Sequence, residues 1–469
     1  MVGKKGIPLK KGEEKEKMQS RKRLGESLSF EGLNVVVFGI GVSGKSAIRA
    51  LIHSGSRVIV VNRGPVEEWV GVFENKDLDN IQCFSEDDSK IKKVMEEADL
   101  IVLSPGIPRE HEILEGPLKK EIPVWSEIEL GFHFCSLPVA CVTGTNGKTT
   151  TVTLIGEMLK ASGMKPFVGG NIGRAFCDLP FCDEQYDVVV LELSSFQLES
   201  IETFHPQISA LLNVVPNHGE RYKSFESYGL AKMNILKNIA DGDTFLCFEG
   251  IPENFKNYLK ELNVEVEYLP RVENKMEALF EDYDLEDFKL PGSHNLQNLL
   301  FAEKMSLALG ATKEGVQKVI THFCGVDFRL QFIPSSHTFA CYNDAKSTNW
   351  DATFSAIKAL EGKEKSLSLI LGGATRGRGD TLPPEFSSLK DQLHKIYLIG
   401  ETTKALSKEL IKLKMDHENC FSLSTVFERV KNEKNFQGHL LFSPAFPSFD
   451  QYTNYVERGM HFTELFGDV

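Results

Sequence analysis

Residues 139–150 constrain this chain more than any other stretch. Val139-Ala140-Cys141-Val142 is an apolar run that breaks into Thr143-Gly144-Thr145-Asn146-Gly147-Lys148-Thr149-Thr150. A helical pattern follows, with Val152, Ile155, Met158 and Leu159 on one face. Strand, glycine loop and helix in that order gather backbone N–H groups and a helix N-terminus around one point, which suits a polyphosphate. Lys148 adds a positive charge for the outer phosphates, and the Thr149 hydroxyl can ligate Mg²⁺. The usual G-x-x-x-x-G-K-[ST] pattern has its first glycine where this chain has Val142. A glycine loop alone is an ordinary turn; Lys148, Thr149 and the strand–helix setting together make it a nucleotide site.

At 469 residues the chain is too long for a single core, which predicts several domains. Residues 33–39 read as a buried strand entering Gly39-Ile40-Gly41-Val42-Ser43-Gly44, with further strands at 57–61 and 98–104. This alternation predicts a Rossmann-like α/β domain over 31–126, after a basic tail at 1–30. A central P-loop domain with a parallel or mixed sheet is expected over 127–325. Its strands lie at 187–193 and 208–215, and a helix at 225–238 carries Lys232. A third Rossmann-like domain is expected over 326–469, with strands near 338–342, 366–371, 395–399 and 439–442.

The formal net charge of −13 argues against general affinity for nucleic acid or anionic membranes. Nine scattered cysteines without C-x-x-C pairing read as reduced thiols, not disulfides or zinc ligands. No run reaches the roughly 18 apolar residues of a membrane span. The tail, with Lys4, Lys5, Lys10, Lys11 and Arg21 among its basic residues, lacks the apolar stretch of a secretory signal. It reads as a solvated extension, consistent with a start upstream of Met18, or as an arm for an anionic surface.

Gly39-Ile40-Gly41-Val42-Ser43-Gly44 has G-x-G-x-x-G spacing, which also occurs in plain packed strand–helix turns. The second strand ends Val60-Val61-Asn62-Arg63 and lacks the acidic residue that holds the ribose of NAD. A different phosphate-bearing ligand, gripped by Arg63, fits better. In the central domain, Glu192 ends one strand and His218 follows another. Oxygen and imidazole ligands beside a nucleotide suit Mg²⁺ or Mn²⁺.

Several further motifs follow the glycine loop in order. They are Gly169-Gly170-Asn171-Ile172-Gly173, Leu191-Glu192-Leu193-Ser194-Ser195-Phe196-Gln197, Asn213 to His218 and Lys232. Then come Gly292-Ser293-His294-Asn295-Leu296-Gln297-Asn298, Asn343-Asp344-Ala345-Lys346-Ser347-Thr348, Ser443-Pro444-Ala445-Phe446-Pro447-Ser448 and Glu457-Arg458-Gly459. Together they make the chain resemble the Mur ligases from Glu31 to its C-terminus. The last motifs are most similar to the branch that adds D-glutamate to UDP-N-acetylmuramoyl-L-alanine.

That resemblance implies a cytoplasmic, monomeric, ATP-dependent amide ligase of peptidoglycan precursor synthesis that works through an acyl phosphate. It implies ATP on Gly144, Thr145, Asn146, Gly147, Lys148, Thr149, Thr150, Asn298, Arg329 and Asp344. Lys148, Glu192, His218 and Lys232 would be the catalytic residues. Two Mg²⁺ ions would sit on Thr149, Glu192, His218 and a carbamylated Lys232; otherwise Lys232 is an ordinary residue of a solvated helix face. The UDP substrate would lie on Val42, Ser43, Asn62, Arg63, Gly106 and Asn171. Lys346, Thr348, Ser448 and Tyr455 would hold the glutamate.

Three positions depart from the family pattern. Asn217 stands for the aspartate beside the metal-binding histidine, Val61 for an acidic residue at the uridine diphosphate, and Phe328 for the histidine before Arg329. The competing readings are a sister ligase with another amino acid, a folate-polyglutamating relative, and a nucleotide-binding regulator without turnover. A separate UDP-binding domain argues against the second. Retention of Lys148, Glu192, His218, Lys232, Lys346 and Ser448 argues against the third.

Overall fold

The computed structural model describes residues 29–73, 80–216, 221–262, 265–272, 276–360, 367–375, 381–433 and 438–468. Most of the basic tail, together with Asn217 and His218, lies outside these residues.

Three α/β sheets follow one another along the chain. The first comprises β1 (Asn34–Phe38), β2 (Arg57–Asn62), β3 (Ile81–Ser85), β4 (Leu100–Leu103) and β5 (Val124–Ser126), in the order β3-β2-β1-β4-β5 and wholly parallel. Alternate residues feed two cores. Val35, Val37, Leu100 and Val102 face one side; Val36, Phe38, Ile101 and Leu103 face the other. Burial on both faces is why these strands read as unbroken apolar runs. Strand order reverses at β1, so a crevice opens at its carboxyl end, beside that of β4.

The glycine spacing there has a steric cause. Gly39 has φ +95°, and a Cβ on Gly44 would run into the Gly39 carbonyl oxygen. Ser104 Oγ, just past β4, donates to that same carbonyl at 2.9 Å. The helix α1 (Val42–His53) can therefore start directly over the loop, with Gly41 as its N-cap and no side chain bonded to its first N–H groups.

The second sheet holds β6 (Val139–Thr143), β7 (Pro166–Gly170), β8 (Val188–Glu192), β9 (Ile208–Leu211), β10 (Thr244–Phe248) and β11 (Val266–Leu269). Its order is β11-β10-β9-β6-β8-β7, again all parallel. The reversal falls at β6, so the glycine loop leading into α2 (Lys148–Ala161) lies between the ends of β8 and β9. The strand expected at 208–215 ends at Leu211, because Asn213 and Val215 turn their polar groups to the glycine loop. The helix expected at 225–238 is α3 (Phe225–Met233), followed by a single 3₁₀ turn at Asn234–Leu236.

The third sheet holds β12 (Gln331–Ile333), β13 (Ala340–Asn343), β14 (Leu367–Gly372), β15 (Leu393–Ile399), β16 (His417–Phe421) and β17 (His439–Phe442), in the order β12-β13-β17-β14-β15-β16. Only β12 runs antiparallel to its neighbour. Leu369, Leu371 and Leu441 pack on one face, and Ile370, Leu440 and Phe442 on the other.

The chain divides into two compact units, residues up to 274 with 298–316, and residues 275–297 with 317 onward. The first two sheets fall together in the first of these units. Polar contacts between their elements account for this. Glu129, fully buried in the helix after β5, accepts from the backbone N–H groups of Glu202 and Phe204, each at 2.8 Å. Burial alone would raise its pKa, but hydrogen bonds from His133, Thr203 and Glu202 hold it down at about 2. Asp178 likewise accepts from Ser46 at 2.7 Å and Arg49 at 2.6 Å, both on α1.

Candidate active site

The glycine loop is held at both shoulders. Gly144 (φ +153°) and Gly147 (φ +86°) adopt backbone conformations that L side chains rarely take. Asn213, two residues past the end of β9, fixes the turn between them. Its Oδ1 accepts from Thr145 N at 3.1 Å and Asn146 N at 2.9 Å, while its Nδ2 donates to Asn146 O at 3.0 Å. Thr145 Oγ1 is tied to Val215 and lies 3.2 Å from the Tyr228 hydroxyl. The side chain of Asn298 packs directly against Gly147.

Two N–H groups of the loop are therefore already spent on Asn213. Gly147 caps α2 without a side-chain bond, so the first-turn N–H groups of Lys148, Thr149 and Thr150 are the donors placed for a phosphate.

Around this point the side chains converge. Lys148 Nζ donates to the carbonyl oxygens of Gly144 (3.0 Å) and Thr145 (2.9 Å). Lys232 Nζ, from α3, donates to the same Gly144 oxygen at 2.8 Å and lies 4.5 Å from the centre of the Tyr228 ring. Lys232 is only 1% exposed. Burial, reinforced by the charge of Lys148 and opposed by Glu192, pushes its pKa down to about 7. Glu192, at the end of β8, accepts from Thr149 Oγ1 at 2.7 Å and from Asn171 Nδ2 at 2.8 Å. Among the described residues, no three or more His, Cys, Asp or Glu side chains are placed to hold a metal ion together. The Thr149–Glu192 oxygen pair fits a hard divalent cation that takes one or two protein ligands and completes its shell with phosphate and water.

A cavity of about 640 Å³ opens at the carboxyl end of the first sheet. All six residues that the resemblance assigns to the UDP substrate line it: Val42, Ser43, Asn62, Arg63, Gly106 and Asn171. Ile172, Gln197, Glu86 and His111 line it too, and sequence reasoning had not singled them out for it. Glu86 follows β3, a strand the sequence did not reveal, and His111 belongs to no motif. Val61 is fully buried in the apolar core with Phe38 and Leu103, so it offers the cavity no polar group.

In the second unit, Asp344 caps the end of β13. Its Oδ2 accepts from Ser443 Oγ (2.8 Å) and its Oδ1 from Leu330 N (3.0 Å). Burial raises its pKa to about 7 against these hydrogen bonds and the charge of Arg329. Lys346 Nζ lies 5.5 Å from the centre of the Tyr455 ring. Phe328, at φ +62°, meets Tyr455 edge-on at 6.4 Å, and its carbonyl accepts from Lys346 N. Ser448 is buried, and Thr348 is half-buried.

Arg458, 1% exposed, brackets this region. It donates to the carbonyls of Ala345, Phe446 and Pro447 at 3.0–3.1 Å, tying the loop after β13 to the one after β17. The sequence shows Glu457-Arg458-Gly459 as a motif but gives no hint of this role.

Asn213→Ala removes the staple of the glycine loop. With net values near 1 kcal/mol per hydrogen bond, ATP binding is expected to weaken by about tenfold or more. Calorimetric titration of ATP and of UDP into the variant checks this. ATP affinity equal to that of the unaltered protein would show that the loop holds its shape without Asn213.

A family model described as Mur ligase middle domain matches residues 142–305, and one described as Mur ligase MurD-like, N-terminal domain matches residues 33–126. Among curated relatives, the UDP-N-acetylmuramoylalanine--D-glutamate ligase of Caldicellulosiruptor bescii is 34% identical, covering 94% of this chain and 99% of its own. The protein of that name from Thermoanaerobacter pseudethanolicus is 32% identical, with coverage of 94% and 100%. Solved structures similar in fold include MurF from Acinetobacter baumannii (TM-score 0.52, 15% identity, 93% and 92% covered) and MurC from Thermotoga maritima (TM-score 0.50, 17% identity, 92% and 98% covered). With curated relatives 32–34% identical over nearly the whole of both chains, the chain belongs to the Mur ligase family.

Proposed function

We propose that this protein joins D-glutamate to UDP-N-acetylmuramoyl-L-alanine at the expense of ATP, in cytoplasmic synthesis of peptidoglycan precursors. The observation that carries the reading is the convergence of Lys148, Thr149, Glu192 and Lys232 around Gly144, at the N-terminus of α2. The names of the full-length relatives supply the substrates. In this reading residues 31–126 bind the UDP moiety, 127–325 bind ATP, and 326–469 supply Arg329 and Asp344 to ATP and Lys346, Thr348, Ser448 and Tyr455 to glutamate. The protein works as a monomer. No helix of the described residues is long and apolar enough to cross a membrane.

The reaction has two steps. A carboxylate oxygen of the alanyl substrate attacks the γ-phosphorus, and the bond to the β–γ bridging oxygen breaks to release ADP. The glutamate amine then attacks the acyl phosphate carbon, phosphate leaves, and the amine loses its proton. Lys148 and the first-turn N–H groups of α2 hold the phosphates in line and stabilise the charge that gathers on their oxygens. Thr149 and Glu192 would hold one Mg²⁺, with His218 and Lys232 on a second; the metal supplies charge neutralisation at the transferring phosphoryl group. A lysine carries CO₂ as a carbamate only by attack of its neutral amine, and the burial of Lys232 favours that form. The carbamate then acts as a long carboxylate.

Release of phosphate is expected to require ATP, Mg²⁺, UDP-N-acetylmuramoyl-L-alanine and D-glutamate together. Assaying a panel of amino acids tests it: turnover with L-lysine or diaminopimelate and none with D-glutamate would move the protein to a sister ligase. Lys232→Ala should be nearly inactive, and short carboxylic acids added to it should restore part of the rate by filling the vacated space. Full activity in this variant would leave Lys232 without a catalytic role.

Ser448→Ala probes the glutamate site. Loss of one hydrogen bond to a charged group, about 1.5–3 kcal/mol, predicts a ten- to hundredfold rise in the KM for D-glutamate, with little change in that for ATP. Steady-state kinetics with each substrate varied in turn would show it. An equal rise in both constants would remove Ser448 from a separate glutamate subsite.

A further inference from the structure

The cavity at the end of the first sheet has chemically unlike ends. On one side, Gly41 and the uncapped N-terminus of α1 present backbone N–H groups, the environment that a diphosphate seeks. Glu86, which also lines the cavity, would repel a phosphate. Its position is fixed by the backbone, since Glu86 N donates to Asn62 O at 2.9 Å across the ends of β3 and β2.

The carboxylate is braced on both sides. Its Oε1 lies 3.9 Å from Arg63 Nε, and its Oε2 lies 3.9 Å from His111 Nε2. His111 is itself wedged: Nδ1 accepts from Ile113 N at 3.4 Å, and the ring meets Phe38 edge-on at 5.2 Å. With Nδ1 accepting, the ring proton sits on Nε2 and faces Glu86. Both contacts are longer than a hydrogen bond, so the Arg63 guanidinium and the His111 ring orient the carboxylate without using up its lone pairs. It remains a strong acceptor directed by two neighbours, in a cavity whose other polar pole attracts phosphate.

We infer that Glu86 is the specificity residue for the nucleoside half of the UDP ligand. It accepts a hydrogen bond from a ribose hydroxyl or from the pyrimidine N3–H, while α1 takes the diphosphate. Repulsion of the phosphates by the same carboxylate sets the direction in which the ligand lies. His111 and Arg63 are positioning residues for this acceptor. The inference rests on the reading of this cavity as the UDP site, and it adds a residue outside the strand-end pair Asn62 and Arg63.

Calorimetric titration of UDP, of its 2′,3′-dideoxy form and of N3-methyl-UDP into the full-length protein and into Glu86→Gln provides the test. Glu86→Gln keeps size and one acceptor while removing the charge, and a thermal melt establishes that the variant is folded. The expected result is a ten- to hundredfold loss of UDP affinity in the variant, with ATP affinity within about twofold of the original. One of the two analogues should bind the unaltered protein about tenfold more weakly than UDP, and that penalty should vanish in Glu86→Gln. The analogue that behaves this way identifies the donor. Equal UDP affinity in protein and variant overturns the inference. So does a weakened variant in which both analogues keep their full penalties, because Glu86 would then act only through the shape of the cavity. Failure of the unaltered protein to bind UDP at all would instead overturn the reading of the cavity, and the inference with it.

Discussion

Two lysine side chains donate to one carbonyl oxygen, that of Gly144, and the first unit is organised around that constraint. Lys148 arrives from the start of α2, and Lys232 from α3, far along the chain. Two full ammonium charges this close repel each other strongly in a desolvated setting, and the buried one yields. Burial first, and this repulsion second, push Lys232 down to about 7, while Lys148, at the mouth of the loop, is the cation placed for phosphate. The arrangement works only because Gly144 occupies a backbone conformation that exposes its carbonyl to both amines, with Asn213 preventing the turn from relaxing.

The same topology explains why the functional groups collect where they do. In both sheets of the first unit the strand order reverses at the first strand, β1 or β6, and a glycine loop leaves the carboxyl end of that strand. Neighbouring strands then end beside the loop and deliver single polar residues: Ser104 after β4, Glu192 at the end of β8, Asn213 after β9. Asn171, just past β7, bonds Glu192 and also lines the cavity at the end of the first sheet. It therefore couples the nucleotide-binding loop to the cavity with one side chain.

How much of this was legible in the sequence follows the position of each strand in its sheet. The central strands β1, β2, β4, β6, β8, β9, β13, β14, β15 and β17 are buried on both faces, and their apolar runs announced them. Every strand that went unread except β10 lies at a sheet edge: β3, β5, β7, β11, β12 and β16. An edge strand has one neighbour and is often partly exposed, so its sequence can carry mixed residues, as in the Ile81–Ser85 and His417–Phe421 segments; β5, though buried, is only three residues long. The site followed the same logic. Gly144 to Thr150, Glu192 and Lys232 sit on central elements with motif spacing and were read. Glu86 and His111 hang on an edge strand and a loop, and although Asn213 and Arg458 stand in motifs, their roles rest on backbone groups, which leave no spacing signature.

Each unit uses a buried cation to bond loop carbonyls at the carboxyl ends of its strands, and the two cations differ in what burial does to them. Arg458 is lowered only to about 10 by burial and stays charged, so its planar guanidinium is a permanent bracket across Ala345, Phe446 and Pro447. Lys232, under comparable burial, comes down to about 7 and is an amine much of the time at neutral pH. An arginine at position 232 would hold the Gly144 carbonyl but could not present a neutral nitrogen to CO₂; a lysine at position 458 would lose the fork that spans three carbonyls. The choice of cation thus separates the two tasks. Where the fold needs a fixed geometry it uses the group that keeps its proton at neutral pH, and where the proposed chemistry needs a modifiable nitrogen it uses the group that can lose it.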